Sequence, residues 1–177
     1  MKLFIGCSSR NEIPKKYIKS CKDYLDYLFD YDNDLIFGAD SRGIMGVCYD
    51  IAKSKKRKII GVTPEAFKKD SEGLEYDELI FTENISERTY KVISMCDALV
   101  FLPGGIGSIY EFFSSLEFIR SGEFNKPIVI YNSDHYYDNM LEMLEKIYEE
   151  KFADNNLFYH VSYDAKDTLE YINNYYI

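Results

Sequence analysis

A single carboxylate, Glu111, lies about one helical turn after a cluster of glycines, and residues at this spacing could carry out a chemical reaction. The stretch from Ala98 to Leu102 is short and continuously apolar, which is typical of a strand buried on both faces. Pro103 and the glycines after it break that strand and let a ligand approach the backbone closely. The start of the next helix exposes unpaired N–H groups and a partial positive charge, which suit a phosphate. A carboxylate at position 111 could then reach a sugar whose phosphate is bound at the turn.

The complete spacing of this segment resembles the PGGxGTxxE signature of the LOG family. These are cytokinin-activating nucleoside 5′-monophosphate phosphoribohydrolases, often mislabelled as lysine decarboxylases. The matching residues are Pro103, Gly104, Gly105, Gly107 and Glu111, and Ser108 replaces the usual threonine but keeps its hydroxyl. The resemblance implies that the turn from Gly104 through Gly105, Ile106 and Gly107 to Ser108 binds the substrate phosphate. Ser108 is also a suitable N-cap for the helix. Taken alone, the segment is compatible with a helix-capping loop and a solvated surface glutamate.

The amino-acid composition excludes several classes of function. The chain has 177 residues, enough for a sizeable core, so we predict a single Rossmann-like nucleotide-binding domain over 1–177. Its net charge of −9 argues against a broad nucleic-acid surface, although backbone N–H groups and a few arginines can still bind a small anion. The sequence has no apolar run of transmembrane length and no signal-peptide cleavage site near its start. We therefore expect a cytoplasmic protein that binds neither nucleic acid nor membrane.

Cysteine and histidine spacing indicates no metal site. The cysteines are scattered without a C-x-x-C pair, as expected of reduced, mostly buried thiols; they are Cys7, Cys21, Cys48 and Cys96. His135 and His160 lie far apart and lack ligand spacing with the cysteines. Helical aromatic residues such as Tyr110, Phe112 and Phe113 exceed what one small core readily buries. Together with the family resemblance, they predict a homodimer.

Strand and helix signals alternate along the whole chain. Strands are predicted at 2–6, 34–38, 58–62, 98–102 and 127–131, with weaker strand signals at 78–81 and near 157–161. Helices are predicted at 14–29, 44–54, 85–95, 108–119 and 137–151, with a helical turn at 64–69 and a final helix from 165. This alternation predicts a doubly wound, Rossmann-like α/β fold: a mostly parallel sheet of six or seven strands with helices on both faces. Ligands bind at the carboxyl edge of such sheets.

Two further strand ends resemble binding loops of the family. The small hydroxyl residues Ser8 and Ser9 follow the first strand, where family members carry a serine-rich turn; simple turn chemistry explains them equally well. The loop after the second strand resembles the family's GGGxxGLMG loop. Its matches are Gly38, Gly43, Met45 and Gly46, and its departures are Ala39 and Asp40 in place of glycines. Asp40 would repel a nearby phosphate, and Arg42 could offset that charge.

Arg88 is the second candidate catalytic residue. The segment from Ile85 to Thr89 aligns with the family's MHxRK motif, whose arginine acts beside the glutamate. Only Arg88 matches, because Ile-Ser replaces Met-His and Thr89 replaces the lysine. The segment by itself is an ordinary helix start with an exposed arginine.

The resemblance implies hydrolysis of the N-glycosidic bond of a nucleoside 5′-monophosphate, AMP or an N6-modified AMP, to free base and ribose 5-phosphate. Breaking this bond builds positive charge on the ribose. Glu111 is expected to stabilise that charge and to position or deprotonate water. Arg88 is expected to contact the phosphate, ribose or departing base and to keep Glu111 ionised. The reaction needs no metal or organic cofactor.

Other functions are compatible with parts of the sequence. A nucleotide-sensing domain of the same fold, which binds without turnover, is favoured by the departures at Ala39, Asp40 and Thr89. Glu111 favours the enzyme, because binding alone does not require it. A nucleoside deoxyribosyltransferase-like enzyme shares the fold but lacks the PGGxG turn. Decarboxylation fits poorly, since no segment resembles a pyridoxal-phosphate lysine motif.

Overall fold

The computed structural model describes residues 1–154 and 158–176, which form one seven-stranded sheet with helices around it. The strands are β1 (Lys2–Gly6), β2 (Asp34–Phe37), β3 (Ile59–Pro64), β4 (Glu78–Thr82), β5 (Ala98–Phe101), β6 (Ile128–Tyr131) and β7 (His160–Ser162). The α-helices are α1 (Lys15–Asp30), α2 (Gly43–Ser54), α3 (Ile85–Met95), α4 (Ile106–Arg120), α5 (Asp138–Glu149) and α6 (Ala165–Asn174). Two 3-10 helices span Glu65–Ser71 and Ser133–His135.

All strand pairs of this sheet are parallel, in the order β4-β3-β2-β1-β5-β6-β7. The predicted α/β fold is confirmed. β5 is an interior strand between β1 and β6, and the middle position belongs to β1. The chain adds β2, β3 and β4 on one side of β1 and then returns to add β5, β6 and β7 on the other. β1 and β5 therefore flank the topological switch point, where α/β sheets bind their ligands.

Alternate residues of each inner strand serve two separate cores, one on each face of the sheet. Leu3 and Ile5 of β1 pack with buried residues of α1, α2 and α6. Phe4, which lies between them in sequence, packs with buried residues of α3, α4 and α5. The period of two follows from strand geometry, and burial on both faces explains the continuously apolar strands. The four cysteines are buried free thiols, as predicted.

Most predicted elements are present, with shifts of one to three residues at their ends. The prediction that Ser108 caps the helix after the glycine turn is wrong. Gly105 is the N-cap, because its backbone is extended and its carbonyl accepts the first helical hydrogen bond, from Ile109 at 3.0 Å. The weak strand predicted near 157–161 begins outside the described residues, and its described part is β7. Over the described chain, every helix is too short or too polar to cross a bilayer.

Candidate active site

The turns after β1 and β5 lie side by side at the switch point. The N–H of Ser8 donates to the carbonyl of Pro103 at 3.2 Å, and the N–H of Leu102 donates to the carbonyl of Gly6 at 2.9 Å. Beside these turns a cavity of about 440 Å³ opens at the carboxyl edge of the sheet. This volume lies within the range of small-molecule sites.

The cavity walls come from the ends of β1, β2 and β3 and from the first turns of α3 and α4. Of the predicted site residues, those that line it are Ser9, Gly38, Arg42, Arg88 and Gly107. Gly105 and Ile106 are exposed beside it, whereas Gly104 and Ser108 are buried beneath the turn. Ser8 and Gly43 contribute mainly backbone contacts behind the wall. The structure thus brings the predicted residues to one region but gives them different degrees of access.

The N-terminus of α4 presents free backbone donors. Its N-cap, Gly105, has no side chain, and the amides of the first helical turn have no partner within the helix. The preceding carbonyls are fixed from behind, because the hydroxyls of Tyr136 and Tyr137 donate to the carbonyls of Gly104 and Leu102, each at 2.7 Å. Since the C=O and the following N–H of a planar peptide point in opposite directions, this fixes the Gly105 N–H away from Tyr136. The arrangement suits an anion.

Gly104 is required by the packing of the helix beneath it. A Cβ at this position would lie 2.2 Å from Oγ of Ser108, which is closer than any normal contact. Ser108 is the third residue of α4, and its side chain points back under the turn. By contrast, a Cβ at Gly105 or Gly107 would meet no atom within 4 Å. The space above these two glycines is open to a ligand.

Glu111 and Arg88 form an ion pair in which Arg88 lines the cavity, whereas Glu111 is buried and is not one of the lining residues. Oε1 of Glu111 is in contact with Nη2 of Arg88, although the contact lacks the directed geometry of a hydrogen bond. The Glu111 side chain is 4% exposed and the Arg88 side chain 12%. Oε2 of Glu111 lies over Gly6, where a Cβ would be only 3.4 Å away. Nε of Arg88 is buried without a hydrogen-bond partner among the described residues.

Burial raises the pKa of the Glu111 carboxyl, and the Arg88 charge lowers that pKa only in part. The sequence argument considered the charge of Arg88 and missed the larger effect of burial. A carboxyl whose pKa is shifted toward neutrality can exchange a proton during a reaction. Shifted groups in a cavity of this kind are typical of functional sites.

The N-terminus of α2 differs from that of α4, because its donors are already bonded. The carbonyl of Ser8 accepts from the N–H groups of Ile44 at 2.9 Å and Met45 at 3.2 Å. The Gly43 N–H donates to Oδ1 of Asn11 at 3.1 Å. Gly43 has a φ of +58°, and a Cβ there would lie 2.6 Å from the Arg10 carbonyl. This glycine-bearing loop therefore packs against the turn after β1 and leaves little for an anion.

Arg42 is held by two aspartates in the cavity wall. Its Nε and Nη2 donate to the two carboxylate oxygens of Asp40, at 2.9 and 2.6 Å, and Nη2 also lies 3.0 Å from Oδ1 of Asp70. Asp40 is buried. Arg42 thus offsets the charge of Asp40, as the sequence suggested, but Asp70 leaves the cluster with a net negative charge. The other departure, Ala39, keeps a glycine-like backbone with a φ of +60°.

Several residues of the cavity carry no recognisable motif. Thr63, Phe67 and Asp70 line it from the end of β3 and the following 3-10 helix, and Arg10 lines it from the turn after β1. Arg10 forms no ion pair with any described residue, so its charge is available at the cavity mouth. Thr89, by contrast, is buried and donates to the Ile85 carbonyl at 2.9 Å. Within the described ranges, no group of three or more potential ligands could hold a metal ion.

Residues 45–172 match the family model described as "Possible lysine decarboxylase". The chain belongs to this family. A rice relative (Oryza sativa subsp. japonica), the probable cytokinin riboside 5′-monophosphate phosphoribohydrolase LOG4, is 30% identical over 85% of this chain and 66% of its own length. A second rice relative, the probable cytokinin riboside 5′-monophosphate phosphoribohydrolase LOGL6, is 26% identical over 85% of this chain and 61% of its own length. The phosphoribohydrolase of Rhodococcoides fascians is 32% identical over 67% of this chain and 61% of its own. The chain thus spans about two thirds of these family members.

Solved structures with the same fold have lower sequence identity. The structure of TM1055 superposes with a TM-score of 0.73 at 16% identity and covers 97% of this chain and 98% of that one. The molybdenum cofactor carrier protein of Chlamydomonas reinhardtii superposes with a TM-score of 0.72, also at 16% identity, over 99% of this chain and 97% of that one. At such identities the likeness extends to the fold alone.

Proposed function

We propose that the protein hydrolyses the N-glycosidic bond of a nucleoside 5′-monophosphate and releases the free base and ribose 5-phosphate. The observation that carries this proposal is the buried Glu111–Arg88 pair beside a helix N-terminus with unbonded amides. The relatives named as cytokinin riboside 5′-monophosphate phosphoribohydrolases support the same reaction class. A nucleotide carries its phosphate and its scissile bond on one ribose, so the group that acts on the bond and the site that binds the phosphate must be neighbours.

The phosphate is assigned to the turn between β5 and α4. Its amides supply hydrogen bonds, and the helix dipole supplies partial positive charge. The corresponding amides of α2 are already bonded to Ser8 and Asn11. Arg42 is offset by Asp40 and Asp70 and would contribute little to anion binding. Arg10 at the cavity mouth is a further cation for the phosphate.

Glu111 is assigned the central chemical role. As the C1′–N bond breaks, the base leaves with the bonding electrons and positive charge develops on the ribose ring. The Glu111 carboxylate stabilises this charge, accepts a proton from the attacking water, and that proton is finally returned to the departing base. The raised pKa of Glu111 favours such a proton exchange. No metal or organic cofactor takes part.

Arg88 is assigned to the substrate and to Glu111 together. Its buried Nε has no hydrogen-bond partner among the described residues, so a phosphate, ribose or base atom could satisfy it. A ligand that draws the guanidinium toward itself would also loosen its contact with Glu111. The Glu111 carboxylate would then become accessible only when substrate is bound. Without substrate it would stay shielded from water.

Nucleotide binding without turnover is the second candidate function. It is favoured by one observation: Glu111 is almost completely buried behind Arg88. The two candidates are separated by incubating the protein with a panel of nucleoside 5′-monophosphates, AMP first, and measuring free base by chromatography. Base release supports the hydrolase. Saturable binding without base release from any member of the panel would replace it with the binding function.

The proposal includes a homodimer. Ile106, Tyr110 and Phe113 are spaced along one face of α4 and are 85%, 40% and 38% exposed. An exposed apolar face of this kind is typical of an interface. Phe112 does not contribute, contrary to the sequence argument, because it packs in the core against Phe101 with ring centroids 5.5 Å apart. Light scattering at micromolar concentration tests the dimer, and a monomer mass would reject it.

A further inference from the structure

The distribution of charge along the cavity distinguishes its two ends. At one end lie the amides of α4 that no described residue bonds, and the Arg88 guanidinium lies over Gly38 at the end of β2. At the other end lie the Arg42–Asp70 ion pair and, behind it, Asp40. The two ends correspond to opposite directions along the sheet edge, toward β5 and toward β3. A nucleotide whose phosphate is bound at the first end must extend its base toward the second.

The second end combines flat apolar surface with a charged far wall. Met45, Pro64 and Phe67 line it together with Thr63, and they provide surface against which a planar base can stack. The far wall is formed by the Arg42 guanidinium and the Asp70 carboxylate, 3.0 Å apart. Asp40 fixes this guanidinium through two hydrogen bonds. The wall is therefore polar and partly solvated, since the Arg42 and Asp70 side chains are 48% and 39% exposed.

We infer that the Arg42–Asp70 pair selects nucleotides with an unsubstituted base edge and rejects bases that carry an alkyl group on the exocyclic amine. The amine of adenine lies on the side of the ring system that is remote from the glycosidic bond. An alkyl group on it would extend beyond the base and press against the ion pair. It would desolvate both charges without offering them hydrogen bonds, which is unfavourable. An unsubstituted edge instead offers donors and acceptors to Asp70 and Arg42.

This inference rests on the proposed function for the orientation of the nucleotide, and it names the substrate class within that function. It also assigns a role to Asp40, the residue that departs from the family's glycine-rich loop. Asp40 lines the same cavity, and we assign it as a positioning residue that holds Arg42. Asp70 lies in the segment between β3 and β4, so it was not visible in any motif.

The test compares AMP with N6-isopentenyl-AMP in base release. For the wild-type protein we expect kcat/KM to be at least about tenfold higher for AMP, which is the scale on which pockets discriminate such groups. Asp70→Ala opens the wall and should reduce this preference at least about fivefold. Asp70→Asn, which keeps the size and removes the charge, is the second variant should the alanine variant be unstable.

Glu75→Ala is the matched control. Glu75 pairs with Lys53 at 3.1 Å and, like Asp70, ties α2 to the connection between β3 and β4, but it lies outside the cavity. Its replacement should leave the preference unchanged. A wild-type protein that prefers the alkylated nucleotide, or a preference that Asp70 variants do not alter, would overturn the inference.

The two proposals fail in different ways. If neither these two nucleotides nor any other member of the panel releases base, the proposed hydrolase is rejected. The selection is then tested by equilibrium binding of the same two nucleotides to the wild-type and Asp70→Ala proteins. Tighter binding of AMP that is weakened by Asp70→Ala would uphold the selection, and equal binding of both nucleotides would reject it.

Discussion

The helices α2 and α4 both follow an inner strand of the same sheet through a turn that contains glycine, yet only one of them has free donors. The first amides of α2 are bonded to the Ser8 carbonyl and the Asn11 side chain. Those of α4 have no such partners among the described residues, and a Cβ at Gly105 or Gly107 would meet no atom within 4 Å. A glycine turn before a helix is therefore insufficient for an anion site. What decides is whether neighbouring loops already use the amides.

The charged residues near the two helices follow the same division. The arginine next to α2, Arg42, is offset by the buried Asp40 and by the partly exposed Asp70. The arginine next to α4, Arg88, is paired with a single glutamate that is buried and on α4 itself. At the N-terminus of α2, the amides and the neighbouring arginine are thus already bonded within the protein. At the N-terminus of α4, polar groups remain for a ligand to bond. The following predictions test this contrast.

The largest expected effect is that of Glu111→Gln, which removes the buried charge of α4. The amide keeps the size of the side chain, so nucleotide binding should change little, whereas kcat should fall by about 10²-fold or more. Steady-state base release and equilibrium binding measure the two separately. The control is Asp50→Asn, an exposed carboxylate on α2. Near-normal turnover of the glutamine variant would remove Glu111 from the mechanism.

Replacement of Arg88 should have the next largest effect. Arg88→Ala removes a group that we assign to both ground state and transition state, so KM should rise and kcat should fall, each by about tenfold. Arg88→Lys should recover part of kcat, because it restores the charge without the planar guanidinium. If the alanine variant changed neither parameter, the unsatisfied Nε would have no functional meaning.

A smaller effect is expected from removing one backbone donor of α4. Ile106→Pro deletes the N–H at the first helical position, where proline is well tolerated. KM for a nucleoside monophosphate should rise by roughly fivefold to tenfold, the loss of one charge-assisted hydrogen bond, with kcat little changed. Ile106→Ala keeps the N–H and is the control for loss of the exposed side chain. Equal KM values in the two variants would move the phosphate away from this turn.

The smallest effect concerns the pH dependence of stability. Burial raises the pKa of Glu111 in the folded state, so above the unfolded pKa the native protein binds more protons than the unfolded chain. The stabilising contribution of the protonated Glu111 carboxyl is complete below the pKa of this group in the unfolded chain. It is lost as the pH rises through the pKa of Glu111 in the folded protein. Relative to Glu111→Gln, the wild-type free energy of unfolding should therefore decline from about pH 4 upward. Urea unfolding at several pH values measures the free energy of unfolding of both proteins. If the wild type became more stable relative to Glu111→Gln as pH rises, the burial argument would be contradicted.

The sequence predicted the fold, and it predicted that the candidate site residues meet at one edge of the sheet, because both depend on local patterns. Apolar strands, glycine turns and a Glu at fixed spacing are visible in one short window, and parallel strands necessarily place their carboxyl ends together. The acceptor that each helix N-terminal N–H group binds was not predictable from the sequence. The N–H of Ile44, for example, donates to the carbonyl of Ser8, 36 positions earlier in the chain. Asp70 was missed for the same reason. In the sequence, Asp70 is only a carboxylate in the connection between β3 and β4, and its contact with Arg42 becomes visible only in the structure.

The hydroxyls of Tyr136 and Tyr137 have a consequence for how tightly an anion can be bound. They hold the carbonyls of Gly104 and Leu102 before any ligand arrives. A glycine-rich segment would otherwise lose much conformational freedom when it closes around a phosphate, and that lost entropy would weaken affinity. Here the loss occurs once, during folding, because two aromatic side chains far along the chain are already in place. The turn can therefore contain several glycines and still behave as a rigid receptor.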